Sequence, residues 1–177
     1  MGRGSRWGHI VYVFLANGFE EVEAITVVDV LRRAKVEVLT VGVGSKTLVG
    51  AHDIVVQADI DICELNMDNN VEMIVLPGGM PGVDNLKNSK KVIEILRYAN
   101  NNDIYIAAIC AAPTILGGQN MLYWRRAVCF PGMEMELLGA KVINSNVVVD
   151  GNIITGKNME AALEFANTLA NLLVKIK

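Results

Sequence analysis

The chain has 177 residues, a length that fits one domain, and 52% of them are hydrophobic, enough to build a large buried core. Sixteen basic against nineteen acidic residues leave a net charge of −3, so no basic surface for nucleic acid is advertised. Three cysteines and two histidines, scattered at His9, His52, Cys63, Cys110 and Cys129, exclude a disulfide-stapled secreted fold and offer no zinc cluster at sequence spacing.

Residues 1–9 (MGRGSRWGH) lack an apolar h-region and read as a leader or cloning remnant, with the domain proper at 10–177. No window reaches the ~18 consecutive apolar residues of a membrane span. The expectation is a soluble, cytoplasmic protein without nucleic-acid or membrane partners. Residues 10–15 form an apolar run suited to a strand covered on both faces. Asn17-Gly18 breaks it, and 20–34 reads as a helix, with Val22, Ile25, Val28 and Leu31 at helical spacing, acids in the first turn and Arg32-Arg33 in the last. A strand follows at 36–41. Residues 48–56 and 58–62 look extended and suggest a side hairpin. Another apolar strand, 71–76, ends at Pro77-Gly78-Gly79, and 89–101 is an amphipathic helix. A core strand at 104–109 stops at Cys110. A short helix over 112–116 ends at Gly117-Gly118, 147–155 turns back on itself at Asp150-Gly151-Asn152, and 159–174 forms the last helix. Strands alternating with helices predict one doubly wound α/β domain, a mostly parallel sheet with helices on both faces.

Sites in such sheets lie at the carboxyl ends of the strands. Three segments leave the strands there with unusual content: GFEEVEA (18–24), IVLPGGMPG (74–82) and AAICAAP (107–113). Cys110 falls between a core strand and a helix start, a sharp elbow of the kind that presents nucleophiles. The helix N-terminus is expected to favour thiolate, drawing the pKa from ~8.5 toward ~3.5–7.5. Cys63 and Cys129 lack that setting and read as packing. Glu20 and Glu21 read as solvent-facing partners of the helix dipole. Glu23, one turn deeper, would meet Cys110 if it faces the sheet edge, and a carboxyl beside a thiolate takes a raised pKa and shares its proton with sulfur. GVGSKT (42–47) resembles part of a dinucleotide fingerprint, but an extended segment follows it rather than a helix. No nucleotide, other cofactor or metal is expected.

Together GFEEVEAITVVDVLRRA, VLPGGMPG, AAICAAPTIL and CFPGMEMELLGA resemble, in order and spacing, the DJ-1/PfpI superfamily, specifically its small DJ-1 (ThiJ-like) branch, over roughly residues 10–173. The resemblance implies a flavodoxin-like fold and a homodimer. It matches Cys110 to the family's oxidation-prone cysteine and Glu23 to its hydrogen-bonded acid. Gly79 and Ala111 match positions whose backbone N–H groups line an oxyanion pocket, with Gly78, Phe130 and His52 around it. Phe130 stands where some relatives carry a histidine, Ala111 where the protease-like branch has one, and His52 where close relatives often have an arginine beside the site.

These departures disfavour peptide hydrolysis, which needs a base for the thiol and an acid for the leaving amine. Small-carbonyl chemistry asks for less. The resemblance points to glyoxalase III-like or deglycase-like turnover, with a hemithioacetal on Cys110, Glu23 shuttling the proton, and Gly79 and Ala111 holding the oxyanion. The alternative from another class is a redox-sensing, stress-protective protein that acts through oxidation of Cys110 without significant turnover.

Overall fold

A computed structural model describes residues 10–67 and 70–174; the expected leader, residues 1–9, lies outside the described residues. In chain order the strands are β1 (Ile10–Leu15), β2 (Glu37–Gly42), β3 (Thr47–Val49), β4 (Val55–Gln57), β5 (Ile60–Asp61), β6 (Val71–Leu76), β7 (Tyr105–Ile109), β8 (Arg126–Ala127), β9 (Lys141–Val142), β10 (Val147–Asp150) and β11 (Ile153–Gly156). The helices are α1 (Glu21–Arg33), α2 (Gly82–Lys87), α3 (Lys90–Asn101), α4 (Pro113–Gly118) and α5 (Ala162–Val174).

Seven strands form the main sheet in the order β10-β11-β7-β6-β1-β2-β5. All its pairings are parallel except the β10–β11 hairpin. The fold is the expected flavodoxin-like α/β architecture. Alternation along β1 divides the core: Val11, Val13 and Leu15 pack under α1 and α5 with Val27, Leu31, Phe165 and Leu169. Tyr12 and Phe14 face the opposite layer, where Leu86 of α2, Leu96 of α3 and Ile115 of α4 cover the sheet. Ser89 caps α3 by accepting the Val92 N–H, which explains why that helix begins where its polar residue stands. From β1 the chain steps outward to β2, then returns to the other side of β1 for β6. The strand order therefore reverses between β1 and β6, and their carboxyl ends open the crevice in which α/β sheets place their sites.

Three expectations change. The side hairpin is β3 paired with β4, entirely within 47–57, while 60–61 joins the edge of the main sheet beside β2. Helix α1 buries Ala24, Val27, Val28 and Leu31; Val22 and Ile25, read as part of the apolar face, are 46% and 41% exposed. Glu21, expected in solvent, is buried. No helix among the described residues is long and apolar enough to cross a membrane.

Candidate active site

Three loops converge where the strand order reverses. The turn after β1 delivers α1, whose first residues are held by two contacts: the Glu20 N–H donates to the Gly78 carbonyl at 2.8 Å, and Ala24 N–H closes the first turn on the Glu20 carbonyl. The loop after β6 carries Gly78 and Gly79. Gly79 has φ +95°, and a Cβ there would stand 2.4 Å from the Glu20 nitrogen, so this close crossing requires glycine. The turn after β7 carries Cys110, itself in the left-handed region at φ 65°. Such a conformation is strained for a residue with a side chain, and two backbone hydrogen bonds hold it. Cys110 N–H donates to the Gly156 carbonyl at 2.9 Å, and Phe130 N–H donates to the Cys110 carbonyl at 2.7 Å.

Glu23 is 1% exposed. Its Oε2 accepts the Gly78 N–H at 2.8 Å, while Oε1 is buried without a hydrogen bond of sound geometry. The Cys110 thiol lies against this carboxyl. Burial pushes the Glu23 carboxyl up to about 7; contact with the thiol and the Gly78 N–H pull it down too weakly to compensate, and the charges of Glu20 and Glu160 add to the rise. Burial also pushes the Cys110 thiol up, well above the ordinary range, followed by the charge of Glu23 and the contact with its carboxyl; the Ala111 N–H acts in the opposite sense. This overturns the expectation of a thiol lowered by a helix terminus. Helix α4 starts only at Pro113 and is one and a half turns long, too little dipole to offset a buried carboxylate. The pair behaves as a coupled unit that keeps at least one proton through the neutral range.

The N–H groups of Gly79 and Ala111 donate to no protein oxygen among the described residues, and that of Ala111 is directed at the Cys110 thiol. Phe130 supplies the backbone N–H that braces Cys110 and leaves its ring half exposed. His52 reaches the site's edge from the β3–β4 turn rather than the thiol. Its N–H donates to Glu21 Oε1 at 2.7 Å and its Nδ1 lies 2.9 Å from Glu21 Oε2 and 3.7 Å from Glu20 Oε2. Reading the sequence missed Glu21's part in this arrangement and the role of Gly50, where a Cβ would stand 2.1 Å from Glu21 Oε1. The absence of a side chain at residue 50 was the available signal. Cys63 is exposed and Cys129 buried, and the latter's thiol lies 3.4 Å from the Phe130 carbonyl.

The profile of the DJ-1/PfpI family matches residues 9–172. The chain is 34% identical over 158 residues to Arabidopsis thaliana protein DJ-1 homolog B, covering 88% of this chain but 36% of that protein. It is 35% identical over 161 residues to Drosophila melanogaster protein dj-1beta, covering 89% and 86%. A deglycase of Pyrococcus abyssi is 30% identical over 149 residues, covering 83% of this chain and 89% of that one. Among solved structures, a mutant of a DJ-1 superfamily protein from Salmonella typhimurium superposes with TM-score 0.90 at 34% identity, covering 94% of this chain and 91% of the other. Toxoplasma gondii DJ-1 in an oxidized form gives TM-score 0.89 at 30% identity, with 94% and 91% covered.

Proposed function

Given that the chain belongs to the DJ-1/PfpI family, we propose that it is a cofactor-independent enzyme whose Cys110 and Glu23 convert small reactive carbonyls. The observation that carries this reading is the placement of the Glu23 carboxyl, 1% exposed, against the Cys110 thiol, where burial raises it to about 7. A base serves best when its pKa lies near the working pH. Glu23 takes the thiol proton as sulfur attacks the aldehyde carbon of methylglyoxal, and the carbonyl electron pair moves onto oxygen. The N–H groups of Gly79 and Ala111 hold that oxyanion until Glu23 returns the proton, giving the hemithioacetal. Glu23 then moves a proton from the former aldehyde carbon to its neighbour through an enediol, leaving a thioester of lactate on Cys110. Water cleaves the thioester, restoring the thiol, so methylglyoxal plus one water gives lactic acid with no external oxidant or reductant. The deglycase name of the Pyrococcus relative supports chemistry of this class.

The test is lactate formation from methylglyoxal by wild type and by Cys110→Ala. Wild type is expected to turn over and the variant to fall to the uncatalysed background; equal rates would sink the proposal. The same wild-type sample decides the second reading, redox sensing, which is favoured by the partial exposure of Cys110 beside a carboxyl able to donate to an oxidised sulfur. No lactate, together with selective gain of two oxygens on Cys110 in mild peroxide, would replace turnover with sensing.

We also propose a homodimer joined through α1 and the β3–β4 hairpin. Val22 and Ile25 on the helix, and Val49, Ile54 and Val55 on the hairpin, expose apolar side chains on two elements that meet at Glu21. Ile54→Asp is expected to shift the sedimenting species from two chains to one; an unchanged sedimentation coefficient counts against this face.

A further inference from the structure

The cluster of Glu20, Glu21 and His52 belongs to no step of the carbonyl chemistry. From its geometry we infer that these three side chains form a site for a divalent cation of the zinc class. The donors come from two elements 31 residues apart in sequence, the first turn of α1 and the β3–β4 turn, and one ligand atom from each lies within 4.8 Å of the others. Around a tetrahedral ion with bonds of ~2.0–2.2 Å, ligand atoms stand ~3.3–3.6 Å apart. The His52 Nδ1 distances of 2.9 Å to Glu21 Oε2 and 3.7 Å to Glu20 Oε2 bracket that spacing.

A second observation points the same way. Glu20 Oε1 is a buried carboxylate oxygen with no hydrogen-bond partner. Carboxylate oxygens withdrawn from water are ordinarily paired, hydrogen-bonded or bound to metal. Among the described residues no lysine or arginine pairs with Glu20 or Glu21; His52 alone does. The donors are also set in place before any ion arrives. The backbone of Glu20 is fixed by Gly78, and Glu21 Oε1 is held by the His52 N–H with no side chain at Gly50 to displace it. Glu21 Oε2 and His52 Nδ1 share one proton position, which the ion would occupy. One imidazole and two carboxylates with an open fourth position suit Zn²⁺.

The inference stands apart from the carbonyl reading, and its test avoids activity. Zn²⁺ is titrated calorimetrically into Cys63→Ser/Cys110→Ala, which removes the exposed and the reactive thiol, and again after adding His52→Arg or Glu20→Gln. Glu20→Gln keeps the size of a side chain that accepts no hydrogen bond and so leaves the fold intact. One Zn²⁺ per chain is expected, with Kd weakened at least about ten-fold by either further change. The His52 ring resonances are expected to shift as Zn²⁺ is added. Absence of saturable binding, unchanged affinity in both variants, or a response from His9 instead of His52 would overturn the site.

Discussion

Glu21 and Glu23 stand two residues apart on the first turn of α1, both with carboxyl groups withdrawn from solvent, yet their acidities move in opposite directions. A helix turns ~100° per residue, so the two side chains point ~200° apart and enter different surroundings. Glu21 enters the β3–β4 turn. Burial there would raise its pKa, but the His52 side chain, the His52 N–H and the Ile54 N–H outweigh burial and hold the carboxylate below its ordinary range. Glu23 enters the crevice between β1 and β6, receives one N–H, and meets a thiol in place of a cation; burial prevails and its carboxyl rises to about 7. What distinguishes a structural anion from a proton carrier here is the number of donors aimed at each oxygen. The residue type is the same, but depth adds to the contrast: Glu23 lies well inside the crevice, whereas Glu21 sits near the surface beside the exposed His52 ring.

The sharpest way to break the comparison is Glu23→Gln. Glutamine keeps an oxygen for the Gly78 N–H and loses the titrating proton, so turnover is expected to fall by a factor of about 10² or more. The stability consequence has a definite sign. With a folded carboxyl at about 7 and an ordinary value of 4.5, the folded state holds its proton after the unfolded chain has lost it. Wild type therefore loses stability as pH rises from 4.5 to 7, by roughly 3 kcal/mol, and the loss levels off above the folded value. Glu23→Gln lacks that loss, so urea unfolding should show the difference in stability moving in favour of the variant across this window. A pH-independent difference would mean that Glu23 is as ionised as Glu21.

Gly78→Ala tests the same contrast by space rather than charge. A Cβ there would stand 2.5 Å from Glu23 Oε2 and 2.7 Å from Cys110 Cβ. The added methyl separates the pair, at a cost of about 1–3 kcal/mol in stability. A displacement of this kind is expected to lower turnover about a hundred-fold. Full activity would show that the Glu23–Cys110 contact is dispensable.

How far these differences were readable follows from which neighbours each residue needs. β1, β6 and β7 were legible because a strand covered on both faces writes itself as an apolar run, and Cys110 because it interrupts one at the start of a turn. Glu23 was legible once both strand ends were placed. Glu21 was not, because its partners lie at residues 52 and 54, in a hairpin whose strands are three residues long and too short for a periodic signal. For the same reason Val22 and Ile25 were assigned to the buried face: helical spacing says that apolar residues share a stripe and is silent on which stripe meets the sheet. Helix α2 escaped detection because it opens on glycine, follows Pro81 and spans six residues. The Cys110 thiol was misjudged for an energetic reason, since a helix start can be seen in sequence while the burial and the opposing carboxylate cannot.

The smallest expected effect lies on the Glu21 side, and it fixes the sign of that half of the contrast. The hydrogen bond to Glu21, then the charges of Glu20 and Glu21, raise the His52 pKa above its ordinary 6.5. For a histidine so raised, the stabilising contribution is complete below 6.5 and is lost as pH climbs through the folded value. The His52 ring, largely in water, should therefore titrate above 6.5 when its proton resonances are followed by NMR, and in Glu21→Gln the midpoint should move back toward 6.5. The stability that Glu21→Gln loses relative to wild type should grow as pH rises toward 4.5, because the lowered Glu21 carboxyl ionises first in the folded state. It should shrink only past the His52 midpoint, whereas the difference for Glu23→Gln falls between 4.5 and 7. A rising loss below 4.5 for Glu21→Gln, against a falling one between 4.5 and 7 for Glu23→Gln, is a demanding signature from two glutamates on one turn, because a general loosening of α1 would leave both differences independent of pH.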